Sequence, residues 1–225
     1  MKILLVEDEK ELAKSIVEYL SKESYLCEVA YSYSEALSKI IGFEYDCILL
    51  DITLPGGSGL KLLEELKKSN SEDGVIIISA KNSLDDKITG LEMGADDYLT
   101  KPFHLSELSA RIFSIIRRKK FHNHSVVTEE ELQLDLLAKT AFVNKQELPL
   151  TKKEFELLVY FLGNKNRVLS KSTLAEHLSG DFADMLDNHG FVYAHVKNLK
   201  KKLSDAGYNH AIKTVYGTGY RWESK

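Results

Sequence analysis

Five short apolar runs alternate with amphipathic patterns over the first 121 residues, and this alternation restricts the fold more than any other feature of the chain. The runs are typical of strands and cover residues 3–6, 26–30, 47–50, 75–79 and 98–100. Between them, apolar residues such as Leu12, Ile16 and Leu20 recur at helical spacing. Near-continuous apolar strands that alternate with helices indicate a parallel sheet covered on both faces. The first half is therefore predicted to be an α/β domain with a five-stranded, doubly wound parallel sheet.

Polar side chains stand at the ends of four of these runs. They are Glu7 and Asp8 after the first run, Asp51 after the third, Ser79 at the end of the fourth and Lys101 after the fifth. The carboxyl ends of parallel strands meet at one edge, where open α/β sheets bind their ligands. The sequence therefore predicts an acidic cluster, a hydroxyl and an ammonium around a single carboxylate, which suits a metal-assisted phosphoryl group.

Asp51 is the predicted centre of this chemistry. A carboxylate can attack phosphorus and form an acyl phosphate. Phosphoryl transfer depends on positioning and on neutralising charge, and Glu7 and Asp8 offer the hard oxygen ligands that Mg²⁺ prefers. Lys101 is a compact cation that can reach a phosphoryl oxygen, and Ser79 can donate a hydrogen bond to another.

The second half has a different pattern. Short strands are predicted at residues 132–136, 141–143 and 147–150, and residues 151–154 fit a capping box that opens a helix. A second helix is predicted from Ser170 and a third over residues 192–203, before a β-hairpin at 212–222. Three helices and a hairpin match a winged helix-turn-helix, a smaller α+β domain. We therefore predict domains at 1–121 and 127–225, joined by a linker at 122–126.

The net charge of −4 conceals an asymmetry. Residues 1–121 carry 16 basic and 21 acidic side chains, whereas residues 189–225 carry seven basic and two acidic ones. The charge argues against a general polyanion binder but favours a local one near the C-terminal end. With no apolar segment long enough for a signal peptide or a membrane span, we expect a cytoplasmic protein without a membrane partner. Cys27 and Cys47 are predicted to be buried, reduced thiols.

The motifs of the first half resemble the receiver domain of two-component response regulators over about residues 1–120. They are Glu7-Asp8, Asp51 with the Leu-Pro-Gly-Gly-Ser-Gly segment at 54–59, Ser79-Ala80, and the Gly-Ala-Asp-Asp-Tyr-Leu-Thr-Lys-Pro-Phe segment at 94–103. The resemblance implies a flavodoxin-like fold in which Asp51 accepts a phosphoryl group from a sensor histidine kinase. It also implies a protein that promotes only its own phosphorylation and slow dephosphorylation, and so is not an enzyme with a separate substrate.

The resemblance also implies a role for individual residues around Asp51. Asp8 and Asp51 would bind Mg²⁺ together with the backbone carbonyl of Thr53, and Glu7 would act through a water molecule. Ser79 and Tyr98 would form a switch pair, Lys101 would contact the phosphoryl group, and the Lys101–Pro102 bond would be cis, which X-Pro bonds permit at small cost.

Within this family, the chain is similar to the OmpR/PhoB subfamily, in which the receiver forms a symmetric homodimer on phosphorylation. The corresponding surface comprises Lys87, Ile88, Leu91, Asp96, Asp97, Glu107, Ala110, Arg111 and Arg118. Matched by position, Lys87 would pair with Glu107, Asp97 with Arg111 and Asp96 with Arg118. The alternative is a solvated helix face with ion pairs inside one chain, each worth well under ~1 kcal/mol.

Residues 127–223 resemble the DNA-binding domain of the same subfamily, so the third helix would read the major groove of promoter DNA. The candidate contacts are Tyr193, Lys197, Asn198, Lys200 and Lys201 on that helix, and Thr218 and Arg221 on the hairpin. Lys can meet phosphates or guanine, and Asn suits adenine. RNA polymerase is a further candidate partner. The loop before this helix usually carries an aromatic residue and an arginine in this subfamily, whereas here Ser-Gly-Asp-Phe at 179–182 and Asn-His-Gly-Phe at 188–191 occupy that region.

Two alternative functions stay open at this point. A hydrolase or phosphotransferase could use an aspartyl-phosphate intermediate, but it would need a second acid/base carboxylate, and Thr53 stands two residues after Asp51. A phosphorylated adaptor could bind only protein, against which the basic C-terminal region and the wing argue. A transcription factor controlled by phosphorylation accounts for both halves.

Overall fold

A computed structural model describes residues 1–69, 71–81, 84–179, 190–209 and 211–224. The chain forms two compact units, residues 1–119 and 120–225. Residues 180–189, in the region where the polymerase contact was predicted, lie outside the described residues. Among the described residues, no helix combines the length and the apolar character that crossing a bilayer requires.

Strands and helices alternate along the first unit. Its strands are β1 (Lys2–Val6), β2 (Leu26–Ala30), β3 (Cys47–Asp51), β4 (Thr53–Leu54), β5 (Gly57–Ser58), β6 (Gly74–Ser79) and β7 (Asp97–Thr100). The helices are α1 (Lys10–Lys22), α2 (Tyr33–Gly42), α3 (Gly59–Lys68), α4 (Leu84–Glu92) and α5 (Leu105–Phe121). The predicted five-stranded, doubly wound parallel sheet is confirmed, with the strand order β2-β1-β3-β6-β7.

The register of the sheet brings its carboxyl ends into line. Val6 pairs with Leu50, Asp51 with Ile78, and Ser79 with Thr100. Successive side chains of a strand point to opposite faces, so the central strands feed two buried clusters. One contains Leu4, Leu50 and Ile77, and the other contains Ile3, Leu49 and Ile76. The central strands are thus buried on both faces, and the polar residues of β1, β3 and β6 stand at the ends of those strands.

Two antiparallel sheets and a group of helices form the second unit. Its strands are β8 (Val126–Glu129), β9 (Leu132–Asp135), β10 (Thr140–Val143), β11 (Gln146–Glu147), β12 (Val168–Ser170), β13 (Ile212–Val215) and β14 (Gly219–Trp222). The helices are α6 (Lys152–Leu162), α7 (Lys171–Ser179) and α8 (Gly190–Asp205). The sheets have the orders β11-β10-β9-β8 and β12-β14-β13. This is the predicted smaller α+β domain.

Local chemistry explains where α6 begins. Thr151 Oγ1 accepts a hydrogen bond from the Glu154 amide, and Glu154 Oε2 accepts one from the Thr151 amide at 2.8 Å. This reciprocal capping box satisfies two amides that have no partner inside the helix. The capping box predicted at residues 151–154 is confirmed.

In the second unit, the structure differs from the predicted strands in three places. The strand predicted at 147–150 is only Gln146–Glu147, because Pro149 has no amide hydrogen with which to extend the ladder. β8 and β12 were not predicted, and β8 begins at the last residue of the predicted linker. Both are four residues or fewer, and β12 forms by pairing with β14, more than 45 positions away in the sequence. A short strand that forms by pairing with a distant segment leaves little periodic pattern in its own sequence, so sequence reasoning did not find it.

Both cysteines are free thiols, as predicted. Cys47 is buried in β3, whereas Cys27 in β2 is only partly buried. They flank Ile3 of β1 on either side in the sheet register.

Candidate functional site

An acidic cluster lies where β1 and β3 end. Asp51 is the last residue of β3 and is 6% exposed, Glu7 follows β1 and is buried, and Asp8 is exposed. One carboxylate oxygen from each residue lies within 4.8 Å of the others. Three hard oxygen donors at this spacing, one of them open to solvent, fit a Mg²⁺ ion that retains water ligands.

Lys101 bridges two of these carboxylates. Its Nζ lies 2.6 Å from Asp51 Oδ2, and 2.9 and 2.7 Å from the two Glu7 oxygens. Burial alone would lower the pKa of Lys101, but its hydrogen bonds to Asp51 and Glu7 outweigh burial and raise that pKa. Burial raises the pKa of Glu7, against the opposing effect of Lys101. Lys101 therefore stays cationic beside the carboxylate of Asp51.

The backbone around Asp51 is also closely packed. The Thr53 amide donates to Asp51 Oδ1 at 2.9 Å, and the Gly59 amide donates to Ile52 O at 2.9 Å. A Cβ at Gly59 would lie 2.0 Å from the Asp51 carbonyl oxygen, so only glycine allows this approach. Sequence reasoning assigned no role to Gly59, although it ends the glycine-rich segment at 54–59.

Ser79 and Tyr98 lie on neighbouring strands beside this cluster. Ser79 ends β6 and is buried, and its Oγ accepts a hydrogen bond from the Lys81 amide at 3.1 Å. The Tyr98 hydroxyl donates to the Lys81 carbonyl at 3.0 Å. Burial raises the pKa of Tyr98, and a hydrogen bond with Ser79 opposes that rise. The Lys101–Pro102 bond is cis, as expected. The structure thus brings Ser79, Tyr98 and Lys101 to the same edge of the sheet as Asp51.

The surface predicted for dimerisation is occupied by ion pairs within one chain. Arg111 lies 2.7 Å from Asp97 and 2.8 Å from Glu107, and Arg118 lies 3.2 Å from Asp96. On α4, Lys87 is half-buried. The exposed apolar residues of this surface are Ile88 and Leu91 on α4 and Ala110 on α5. Charges of both signs therefore surround small exposed apolar patches.

Helix α8 has one buried face and one open face. Val192, Val196, Leu199 and Leu203 are buried, whereas the predicted contact residues Tyr193, Lys197, Asn198 and Lys201 are exposed. Lys200 is half-buried. Lys202 faces the domain instead, because its Nζ lies 2.7 Å from Glu154 and 2.6 Å from the Pro149 carbonyl. The lysine run at 200–202 is therefore divided between an outer surface and an internal ion pair, which the sequence pattern did not reveal.

The hairpin residues take two different positions. Thr218 is exposed in the turn between β13 and β14, after Gly217 with a φ of +76°. Arg221 lies in β14, the central strand of its sheet, opposite Lys213 and Val168, and forms an ion pair with Glu223. Tyr216, which sequence reasoning did not single out, is 94% exposed in the same turn. The tip therefore presents an aromatic ring and a hydroxyl, and the arginine stands further along the strand.

The two sites support different chemistry. The first combines a carboxylate nucleophile, oxygen donors for a divalent cation, and a fixed ammonium, which are the requirements of phosphoryl transfer to Asp51. The second combines a helix with cationic and amide side chains on its open face and a hairpin, which suits a DNA groove.

Comparison with known protein families agrees with this division. Residues 3–113 match the family model of the response regulator receiver domain. Residues 145–222 match the family model of the C-terminal domain of transcriptional regulatory proteins.

Individual relatives match one or both of these parts. The transcriptional regulatory protein QseB of Haemophilus influenzae is 34% identical over 220 residues, which cover 98% of this chain and 97% of QseB. A Francisella response regulator receiver domain is 39% identical with a TM-score of 0.52, and the match covers 53% of this chain and 98% of that domain. A streptococcal redox sensor, from a family described as having evolved from two-component response regulators, is 27% identical with a TM-score of 0.50, and covers all of this chain.

Proposed function

This chain belongs to the OmpR/PhoB-type transcriptional response regulators, and we propose that a sensor histidine kinase phosphorylates it on Asp51, after which it binds promoter DNA as a homodimer. The observation that carries this proposal is the buried Asp51 carboxylate held between the Glu7–Asp8 pair and the Lys101 ammonium. We also propose that its functional parts are a receiver at 1–121, a linker at 122–126 and a DNA-binding domain at 127–225, acting in the cytoplasm.

The phosphoryl step exchanges one bond for another. A carboxylate oxygen of Asp51 attacks the phosphorus of a phosphohistidine, a P–O bond forms and the P–N bond breaks. The departing imidazole keeps the electron pair and takes up a proton. Lys101 stabilises the charge on the phosphoryl oxygens, and the Thr53 amide orients Asp51 through the bond to Oδ1.

Glu7, Asp8 and Asp51 would hold a Mg²⁺ ion, with the carbonyl of Thr53 as a further ligand and Glu7 acting through water. When bound, the ion would neutralise charge on the transferring group. Once phosphorylated, Asp51 is expected to lose the group slowly, since Thr53, two residues on, has no carboxylate with which to activate water.

We propose that phosphorylation favours the inward position of Ser79 and Tyr98 and thereby a dimer of receivers. The phosphoryl group must bind that conformation better than the resting one in order to shift the equilibrium. In a two-fold dimer each surface meets a copy of itself. The Arg111–Asp97 and Arg118–Asp96 pairs would exchange into pairs between chains, Lys87 would pair with Glu107, and Ile88, Leu91 and Ala110 would become buried.

For the DNA-binding domain, we propose that α8 enters the major groove. Lys197, Lys200 and Lys201 would contact phosphates or guanine, Asn198 would contact adenine, and Tyr193 would lie beside them. Thr218 and Arg221 would contact the backbone or the minor groove from the hairpin. RNA polymerase is proposed as a partner of the DNA-bound dimer.

One experiment tests the central proposal. The full chain is treated with a radiolabelled phosphohistidine donor and Mg²⁺, and then examined for label on Asp51, for sedimentation as a dimer and for binding to genomic fragments. We expect label, dimer and shifted DNA together. A labelled protein that shifts no DNA would support the protein-binding adaptor instead, and sustained release of phosphate from small phosphomonoesters would support the hydrolase.

A further inference from the structure

Gly90 lies at the contact between α4 and the Tyr98 ring. The residue is buried in the last turn of α4. Below it, Ile77 of β6 and Tyr98 of β7 are partners in the parallel register, so their side chains share the face of the sheet that α4 covers. A Cβ placed on Gly90 would lie 2.6 Å from Ile77 Cδ1 and 3.3 Å from Tyr98 Cδ2.

The backbone gives no reason for a glycine here. The φ of Gly90 lies outside the left-handed region, in contrast to Gly94 two residues beyond the end of the helix, whose φ is +100°. A glycine inside a helix is less favourable than alanine, because it loses more backbone freedom on folding. The absence of a side chain therefore leaves space beneath the helix, and the Ile77 methyl group and the edge of the Tyr98 ring fill that space.

The Tyr98 ring is in an inward position in this structure. The side chain is buried, and its hydroxyl contacts both the Lys81 carbonyl and Ser79. Ser79 in turn stands at the same sheet edge as Asp51. An inward Tyr98 therefore connects the phosphorylation site to the underside of α4.

We propose that Gly90 is a positioning residue, which leaves room for the inward Tyr98 ring and so allows α4 to respond to phosphorylation of Asp51. This inference rests on the proposed function. The atoms nearest to a Cβ at Gly90 belong to Ile77 and Tyr98 and not to the acidic cluster, so its effect is expected on the response and not on phosphoryl uptake. A methyl group at this position would lie 3.3 Å from the inward ring, so that the ring would have to shift by a few tenths of an ångström to keep its place.

The test compares the full chain with four variants, and a fifth variant, Tyr98→Phe, serves only to assign an NMR resonance. Gly90→Ala adds the methyl group, and Gly90→Ala with Ile77→Val removes the 2.6 Å conflict with Ile77 Cδ1 while keeping the contact with Tyr98. Ile77→Val alone controls for the smaller core residue. Gly42→Ala is the matched control, because Gly42 ends α2 with nothing within 4 Å of its Cβ position.

Each protein is treated with acetyl phosphate and Mg²⁺ and measured in three ways. Mass spectrometry reports phosphoryl uptake, sedimentation reports dimerisation, and ¹⁹F NMR of 3-fluorotyrosine reports the Tyr98 ring, with Tyr98→Phe identifying its resonance. We expect all proteins that retain Asp51 and Tyr98 to take up the phosphoryl group. In Gly90→Ala/Ile77→Val, phosphorylation-linked dimerisation should weaken by about 5–150-fold, the usual range of coupling between two sites, and the Tyr98 resonance should not move.

Three results would overturn the inference. The double variant could dimerise and shift its Tyr98 resonance like the parent, or it could dimerise without phosphorylation, which would mean that the methyl group favours the inward ring. The third result would be a parent protein that takes up phosphoryl groups without dimerising and without a change in its Tyr98 resonance. That last result would refute the proposed switch as well, whereas the first two leave phosphorylation-dependent dimerisation of the parent intact.

Discussion

Lys101 Nζ lies 2.6 Å from Asp51 Oδ2, although 50 positions separate the two residues in the sequence. The ammonium also contacts Glu7, so it spans the ends of β1 and β3 from the loop after β7. This contact compensates part of the negative charge of the acidic cluster and leaves Asp51 with an ordered carboxylate. A phosphoryl group on Asp51 would meet a cation already in place, which requires little reorganisation.

Asp51→Asn should abolish phosphoryl uptake, because an amide is no nucleophile toward phosphorus and cannot form the acyl phosphate. The fold should persist, since asparagine retains the shape and the oxygen that accepts from the Thr53 amide. Transfer of radiolabel from a phosphohistidine donor measures the effect. Glu18→Gln, which removes one charge from the exposed face of α1, is the control and should label normally. Persistent labelling of the Asn variant would place the phosphoacceptor elsewhere.

Asp8→Asn should weaken Mg²⁺ binding by at least about tenfold, or ~1.4 kcal/mol, because a charged oxygen donor is lost from a cluster of three carboxylates. Isothermal titration with Mg²⁺ measures this directly. Chelation of Mg²⁺ in the parent protein should stop phosphoryl uptake from acetyl phosphate, and replacing the ion should restore it. An Asp8→Asn variant with unchanged Mg²⁺ affinity would contradict the assignment of the metal site.

Glu154→Gln should destabilise the second unit by about 1–3 kcal/mol at pH 7, because Lys202 loses its buried charged partner. Trp222, the only tryptophan in the sequence, is buried in this unit, so its fluorescence follows urea unfolding of the unit. Glu156→Gln is the matched control on the same helix. It breaks a partly exposed pair with Lys153, which is worth under ~1 kcal/mol.

The destabilisation caused by Glu154→Gln should also depend on pH. Burial raises the pKa of Glu154, but hydrogen bonds from Lys202 and Thr151 outweigh burial and lower the pKa below its ordinary value of 4.5. A lowered pKa means that the stabilisation is present above 4.5 and is lost as pH falls through the pKa of the folded state. The difference in unfolding free energy between parent and Glu154→Gln should therefore narrow below pH 4.5. A constant difference would show that the ion pair with Lys202 contributes nothing.

Neither cysteine should react readily in the native protein. Burial raises the pKa of Cys27 to about 12 and raises that of Cys47 as well, so both thiols stay protonated at neutral pH. Iodoacetamide labelling, followed by mass spectrometry, should be slow in buffer and fast in urea. Since a raised thiol pKa stabilises the fold below the ordinary value of 9.0, this contribution should be lost above it. Rapid native labelling would instead indicate thiol chemistry of a redox sensor.

Two substitutions on α8 should affect DNA binding differently. Asn198→Ala should cost about 1–3 kcal/mol on a specific site and leave the salt dependence unchanged, as expected of a base contact. Lys197→Ala should weaken binding to all sequences and reduce the slope of log K against log salt by about 1. Fluorescence anisotropy at several salt concentrations distinguishes them. Lys152→Ala, an exposed lysine on α6, is the control and should change neither quantity.

Much of this protein was determined by sequence pattern alone. Near-continuous apolar runs specify a doubly wound sheet, and strands that run in parallel place Glu7, Asp51 and Lys101 at one edge wherever they occur in the chain. Helical spacing likewise identified Val192, Val196 and Leu199 as the buried face of α8. These features follow from the periodicity of strands and helices, which is visible in each local stretch of apolar and polar residues.

The tertiary structure decided which side chain meets which partner. Lys202 and Lys201 are adjacent in the sequence, but only Lys202 lies against Glu154, 48 positions away. In the same way, nothing in the sequence distinguishes Gly90 from the other glycines among the 13, and only the packing of α4 over Tyr98 shows why this position has no side chain. These contacts depend on distances of a few ångströms between elements distant in sequence. Periodicity sets the face on which a residue lies, and only the packing of the whole domain sets the atoms that the residue meets there.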